Sequence, residues 1–291
     1  MHKYLNAIGF GSWSKKDFDE WLYEEALADP DITVEATDLD GNPVVEKRRE
    51  VAPGMGICMR GFYGPDGKFI LDSFFPYREP KLQTNNLETN IIPQTDRYGM
   101  YGVCDDVRLG VDLVYFVQDM MALLKTDQKN NADVFFGGTS LMGLADSGTI
   151  LLPVAKTPEF VERAEKARKK KGEKMLAARN GDEKAYEDLS MEEMNLYSVI
   201  TSRLSEESIY EIIDTSFMPV GVETDKYAVV GEITDAHKFL NRVTMKTVWV
   251  LTLVTESMQF EVTVNSKDLV GVPWRGRRFK GEIWLQGKVN A

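Results

Sequence analysis

At 291 residues the chain is too long for one small core and fits two domains, or one large domain with insertions. Hydrophobic residues make up 43% and charged residues 28%, ordinary globular values that exclude a mostly disordered chain, a collagen-like repeat and a membrane bundle. The formal net charge of −11 is unevenly spread: residues 1–156 hold 15 basic and 24 acidic groups, 157–216 hold 10 and 14, and 217–291 hold 10 and 8. Only the last quarter is basic, so nucleic acid is repelled at long range and any such binding has to be local to that part.

The first residues, Met1 to Asn6, lack the apolar core and cleavage site of a signal peptide, and two cysteines, Cys58 and Cys104, are too few for a disulfide framework. Both features read as a cytoplasmic protein with free thiols. The most apolar window, Leu109 to Leu124, is broken by Asp112, Gln118 and Asp119, so no membrane-spanning segment is expected.

In chain order, Ser14 and Asp17 form a helix start, and Phe18, Trp21, Leu22 and Ala26 recur at helical spacing up to Asp29-Pro30. Strand texture follows: Ile32–Glu35 and Val44-Val45 flank a turn at Asp40-Gly41-Asn42-Pro43, and Ile57–Tyr63 and Lys68–Phe75 flank Gly64-Pro65-Asp66-Gly67. Residues 76–108 read as irregular. Val111–Leu124 is a buried helix or a strand running into one, and Val134–Phe136 and Leu141–Val154 form a further β segment turning at Asp146-Ser147-Gly148.

From Thr157 a helical block runs for about sixty residues, with Pro158 at a first helical position and further starts at Ser190-Met191-Glu192-Glu193 and Ser205-Glu206-Glu207. Its basic cluster Arg168-Lys169-Lys170-Lys171 is interleaved with Glu159, Glu162, Glu165 and Glu173, which reads as a solvated helix face.

The last part reads as all β. Met258, Phe260, Val262 and Val264 alternate with polar residues, Val243–Val254 is apolar on both faces, and Tyr227–Ile233 and Phe279–Val289 supply further strands. The expected fold is therefore α+β: a β-rich domain over 1–156, a helical segment over 157–216, and a small antiparallel β-barrel over 217–291, similar in outline to an oligonucleotide/oligosaccharide-binding barrel.

Catalytic groups are sparse. With only His2 and His237, neither a His-rich metal site nor a His-Glu-x-x-His motif can be drawn, and Asp235-Ala236-His237 reads as a strand-end turn without a nucleophile elbow beside it. No glycine stretch matches a phosphate loop, and no cofactor is expected. Asp105, Asp106 and Asp112 are the nearest thing to an acid/base or cation-binding group.

The closing strand is the most suggestive feature. If Phe279, Ile283, Leu285 and Val289 point inward, alternation sends Arg278, Lys280, Glu282, Trp284, Gln286 and Lys288 to the other face. Trp274, Arg275, Arg278 and Trp284 then form a basic and aromatic surface on which a nucleobase, a sugar ring or an Arg-rich partner could stack. The competing reading makes Trp284 the contact that docks the barrel onto the acidic N-terminal domain.

Met1-His2-Lys3-Tyr4-Leu5 with Ala7-Ile8-Gly9-Phe10, and Gly276–Gly281 with Ile283–Gly287, resemble the opening and closing blocks of an uncharacterised bacterial family, domain of unknown function 3881, from anaerobic Gram-positive bacteria. The resemblance would extend to full length. It implies a cytosolic bacterial protein and supplies no activity, cofactor or catalytic residue. The expected function is a noncatalytic binding or interaction protein, with a protein or small ligand at the C-terminal barrel and no membrane. The alternatives are single-stranded nucleic-acid binding through that barrel, and an enzyme working in a cleft between the domains.

Overall fold

Ser14 and Asp17 cap a helix as their spacing predicts: the Ser14 hydroxyl accepts from the Asp17 N–H at 3.1 Å, and the Asp17 carboxylate accepts from the Ser14 N–H at 3.3 Å. In the computed structural model, which describes residues 2–38, 40–93, 99–106, 111–125, 136–153, 158–191, 214–220, 225–255 and 258–290, this helix is α1 (Lys15–Trp21) and continues as a π-turn over Leu22–Ala26. It is preceded by a 3-10 helix, Lys3–Ile8, that ends where Gly9 takes a φ of 99°. Phe18, Trp21, Leu22 and Ala26 all face inward.

The next four strands, β1 (Ile32–Thr37), β2 (Pro43–Ala52), β3 (Met55–Tyr63) and β4 (Phe69–Arg78), form an antiparallel meander, with Gly67 at a φ of 76° in the turn between β3 and β4. Residues 76–108 are not irregular as expected: they contain β5 (Asn85–Pro93) and β6 (Met100–Asp106). Alternation was hidden in β5 because two of its most buried positions carry polar residues, Asn85 and Thr89. Strand β7 (Val111–Val117) runs into α2 (Met120–Lys125), followed by β8 (Phe136–Ala145) and β9 (Gly148–Leu151).

The helical block begins with α3 (Pro158–Arg179). Its second helix covers residues 183–191 and starts after Asp182, whose carboxylate accepts from the Ala185 N–H at 3.1 Å, so Ser190 lies inside a helix rather than at its start. Glu192, Glu193 and the start expected at Ser205 lie outside the described residues.

The remaining strands are β10 (Ser216–Pro219), β11 (Lys226–Leu240), β12 (Thr247–Thr255), β13 (Met258–Asn265), β14 (Leu269–Val270) and β15 (Arg278–Val289). Asp235 and His237 are therefore within a long strand, not at a strand end. The protein is α+β and strand-rich.

Strand pairing crosses the positions 157 and 217 at which the sequence suggested divisions. Among the described residues β13 and β15 share no ladder; β8 stands between them, parallel to β13 and antiparallel to β15. Pairing thus closes a ring of five strands, β11-β12-β13-β8-β15, and a second ring, β5-β6-β7-β15-β8, uses the other end of the same β8–β15 pair.

The two rings share one pairing pattern: a meander whose third strand runs parallel to one member of the β8–β15 pair. Leu141, Met142 and Gly143 face Gly287, Gln286 and Leu285 in register, so a Leu-x-Gly triplet meets its own copy running the other way. Each copy follows a three-stranded meander and a short helical turn. Glycine is needed at both places because the strands are crossed closely by side chains: a Cβ on Gly287 would stand 2.7 Å from Tyr115, and one on Gly143 would stand 2.8 Å from Ile283.

The β8–β15 pair is buried on both faces. Leu141, Phe279, Ile283 and Leu285 enter one core with Tyr115 and Phe260. Met142, Leu144 and Trp284 enter a second core with the N-terminal helices and strands β3 and β4. Full burial of each such side chain is worth roughly 1.5–3 kcal/mol.

Candidate binding groove

A bulge in β11 between Ile233 and Asp235 interrupts its pairing with β12 and turns the strand locally. The segment before β15 is tied to that bulge in both directions. Gly276, at a φ of 83°, donates its N–H to the Ile233 carbonyl at 2.8 Å, and the Arg277 carbonyl accepts from the Ile233 N–H at 2.7 Å. The Arg277 N–H closes the turn onto the Trp274 carbonyl at 3.0 Å. The result fixes Trp274 and Arg275 opposite Asp235.

Between them lies a groove of about 610 Å³, open to solvent, lined by Thr234, Asp235, Trp249, Thr252, Gln259, Trp274 and Arg275 among others. Its volume is in the range of small-ligand sites. Trp274 is 63% exposed, while Trp249 is half-buried, with the Lys238 ammonium 4.7 Å from its ring centre. The Asp235 carboxylate accepts from the Ala236 N–H at 2.8 Å and contacts His237 Nε2 at 2.8 Å. The Ala236 N–H, then His237 and Arg275, hold its carboxyl below the usual range, so it is ionised at neutral pH.

Of the four residues singled out in the sequence, Trp274 and Arg275 line this groove and Arg278 and Trp284 do not. Arg278 is buried, with its guanidinium donating to the carbonyls of Leu152 at 3.0 Å and Asp214 at 3.3 Å. Trp284 is 6% exposed and packed against His2, Tyr4, Phe75 and Phe116. The alternation expected along β15 is present, but on its second face Glu282 alone is exposed, while Trp284, Gln286 and Lys288 meet the N-terminal part of the chain, Gln286 donating to the Pro76 carbonyl at 2.9 Å and Lys288 reaching Glu79 at 2.8 Å.

Trp249, Asp235, Thr252 and Gln259 escaped the sequence reading as site residues. Trp249 sits in a run apolar on both faces, which signals only burial, and Asp235 is aimed by a bulge that leaves no mark in the sequence. The only available hint was an aromatic residue and a carboxylate in neighbouring strands.

The carboxylates considered for chemistry are arranged otherwise. Asp105 is exposed and ion-paired with Arg179, Asp105 and Asp112 face each other across β6–β7, and the Asp106 side chain lies outside the described residues. Among the described residues no three potential metal ligands converge, and no helix is long and apolar enough to cross a membrane.

Fold and groove define a strand-rich α+β protein with an open, indole-lined depression beside a strand bulge. Residues 5–287 match the family described as "Domain of unknown function, E. rectale Gene description (DUF3881)", and the chain belongs to that family. No curated protein and no solved structure matches it.

Proposed function

We propose that the protein is a noncatalytic binding protein whose ligand occupies the groove of Trp249 and Trp274. The observation that carries this reading is the exposed Trp274 ring lining the groove, on a backbone turn that Gly276 and Arg277 tie to the β11 bulge. Exposing a large indole in water costs hydrophobic stabilisation, and a fixed exposed aromatic beside a cavity is a common feature of binding sites. The ring β11-β12-β13-β8-β15 supports describing this end of the molecule as a small barrel completed by β8. Two cysteines buried as thiols support a cytoplasmic location.

A thermal-shift screen of small metabolites, peptides and sugars against the full chain tests the reading. Compounds that raise the melting temperature of the wild type but not of Trp274→Ala support it. A complete screen in which every stabilising compound acts equally on both proteins, or none acts at all, sinks it.

Single-stranded nucleic acid is favoured less. Arg278 and Trp284, two of the four groups it would use, are buried elsewhere, and the groove presents Asp235 beside Arg275.

A further inference from the structure

We infer that the groove takes a neutral oligosaccharide, seated with a pyranose face on Trp274 and with hydroxyls held by Asp235, Arg275 and Gln259. This rests on the groove being the binding site.

Charge narrows the ligand class first. Among the described residues Asp235 and Arg275 are the only formally charged ones lining the groove, and they cancel; Lys238 stands beside it, with its ammonium 4.7 Å from the Trp249 ring centre. A polyanion gains from Arg275 what it loses to Asp235, and a quaternary ammonium group meets the reverse. A ligand without net charge suffers neither penalty and uses both groups as hydrogen-bonding partners.

The polar lining then selects for hydroxyls. Asp235 is a pure acceptor already fixed by the Ala236 N–H, and Arg275 is a forked donor. Gln259 and Thr252 each donate and accept, and the Thr234 hydroxyl, which donates to the Thr252 carbonyl at 3.3 Å, can still accept. Adjacent hydroxyls, each a donor and an acceptor, can satisfy such a mixed set; a purely apolar ligand would leave it unpaired.

An indole supplies the apolar half. Sugar rings carry C–H groups on their faces, and these pack on flat aromatic surfaces while ring-edge hydroxyls reach sideways to polar groups. Trp274 offers an exposed ring for this contact, whereas Trp249 is half-buried with the Lys238 ammonium over its ring. Because the groove is open to solvent, a chain can run through it and need not present a free end.

The test is calorimetric titration of the full chain with maltohexaose, cellohexaose, xylohexaose and chitohexaose, alongside choline and a single-stranded oligodeoxynucleotide. At least one hexasaccharide is expected to bind with little dependence on salt, as for an uncharged ligand. Trp274→Ala is expected to weaken it at least about tenfold, the size of one lost stacking contact. Trp274 is mostly exposed, so this variant keeps the fold, which circular dichroism checks; Arg275→Gln provides a second variant.

Failure of all four hexasaccharides to bind, or binding that Trp274→Ala and Arg275→Gln leave unchanged, overturns the inference. Trp274-dependent binding of choline or the oligodeoxynucleotide without any hexasaccharide also overturns it but leaves the groove as the ligand site. Silence from every probe together with an empty thermal-shift screen removes both.

Discussion

The indole N–H of Trp284 donates to the Asp225 carboxylate at 2.7 Å, and both side chains are buried. Burial pushes the Asp225 carboxyl above its usual range, and the indole hydrogen bond works against that rise. The indole is stacked on Tyr4 at 5.6 Å and lies 4.9 Å from His2, so one side chain joins the last strand to the first helical turn.

Replacing Trp284 should therefore damage the fold and spare the groove. Trp284→Phe keeps an aromatic ring but strands Asp225, at about 1–3 kcal/mol. Trp284→Ala adds a cavity and should cost about 3–5 kcal/mol. Urea unfolding checks both values, and a Trp284→Ala protein less than about 1 kcal/mol weaker than wild type would show that the contact contributes little to stability.

How much of this was legible in the sequence depends on what each pattern encodes. The inward set Phe279, Ile283, Leu285 and Val289 was readable because period two is imposed by the strand backbone itself. What covers the opposite face was not, since Arg278, Lys280 and Glu282 around Trp284 read equally as a basic and aromatic binding surface or as a docking face, while the partners of Trp284 and Gln286 come from residues near both Tyr4 and Gln118. β5 was missed because Asn85 and Thr89 occupy buried positions in place of apolar residues; the Asn85 side chain accepts from the Thr139 hydroxyl at 3.0 Å. Trp274 and Arg275 were legible as chain neighbours, whereas Asp235, Trp249 and Gln259 join them only through strand register and a bulge.

The buried triad between β2 and β3 should respond asymmetrically to mutation. Glu46 accepts from Arg60 at 2.7 Å and from Arg48 at 2.8 Å. Burial opposes its ionisation, but the two guanidiniums outweigh this and hold the carboxyl below its usual range. Glu46→Gln leaves the fully buried Arg60 guanidinium without its counter-charge and Arg48 with only Glu79 at 3.6 Å, and should cost about 3–5 kcal/mol. Arg60→Met leaves Glu46 still paired with Arg48 and should cost clearly less. Chemical denaturation of both variants checks the order; equal losses would mean that Arg48 does not compensate.

His2 should give an acid-sensitive stability. Burial lowers its imidazole from 6.5 to about 4 in the folded protein, where Nδ1 accepts from the Tyr4 N–H at 3.3 Å. The unfolded chain binds the proton more readily, so stability is complete above pH 6.5 and declines as pH falls towards 4, by up to about 3 kcal/mol. His2→Asn keeps an acceptor for Tyr4 and removes the titration. Its unfolding free energy relative to wild type, measured by urea melts, should therefore rise as pH falls from 6.5 towards 4, whatever slope Asp119 adds to both proteins; a difference that stays constant over this range would mean that His2 does not carry the acid sensitivity.

Asp119 works in the opposite sense over nearly the same range. Burial raises its carboxyl from 3.8 to about 6. One oxygen accepts from the Val289 N–H at 3.3 Å, and the other finds no hydrogen-bond partner among the described residues. The folded state binds the proton more tightly, so the contribution is whole below pH 3.8 and is lost as pH rises through 6. Asp119→Asn keeps an acceptor for Val289 and removes the buried charge, so it should stabilise the protein by up to about 2–3 kcal/mol at pH 7 and have little effect at pH 4. Combined with His2→Asn, it should leave a pH profile flatter between 4 and 6.5 than either single variant, because each removes one of two opposing slopes. Equal stabilisation by Asp119→Asn at both ends of the range would mean that its effect is packing and not charge.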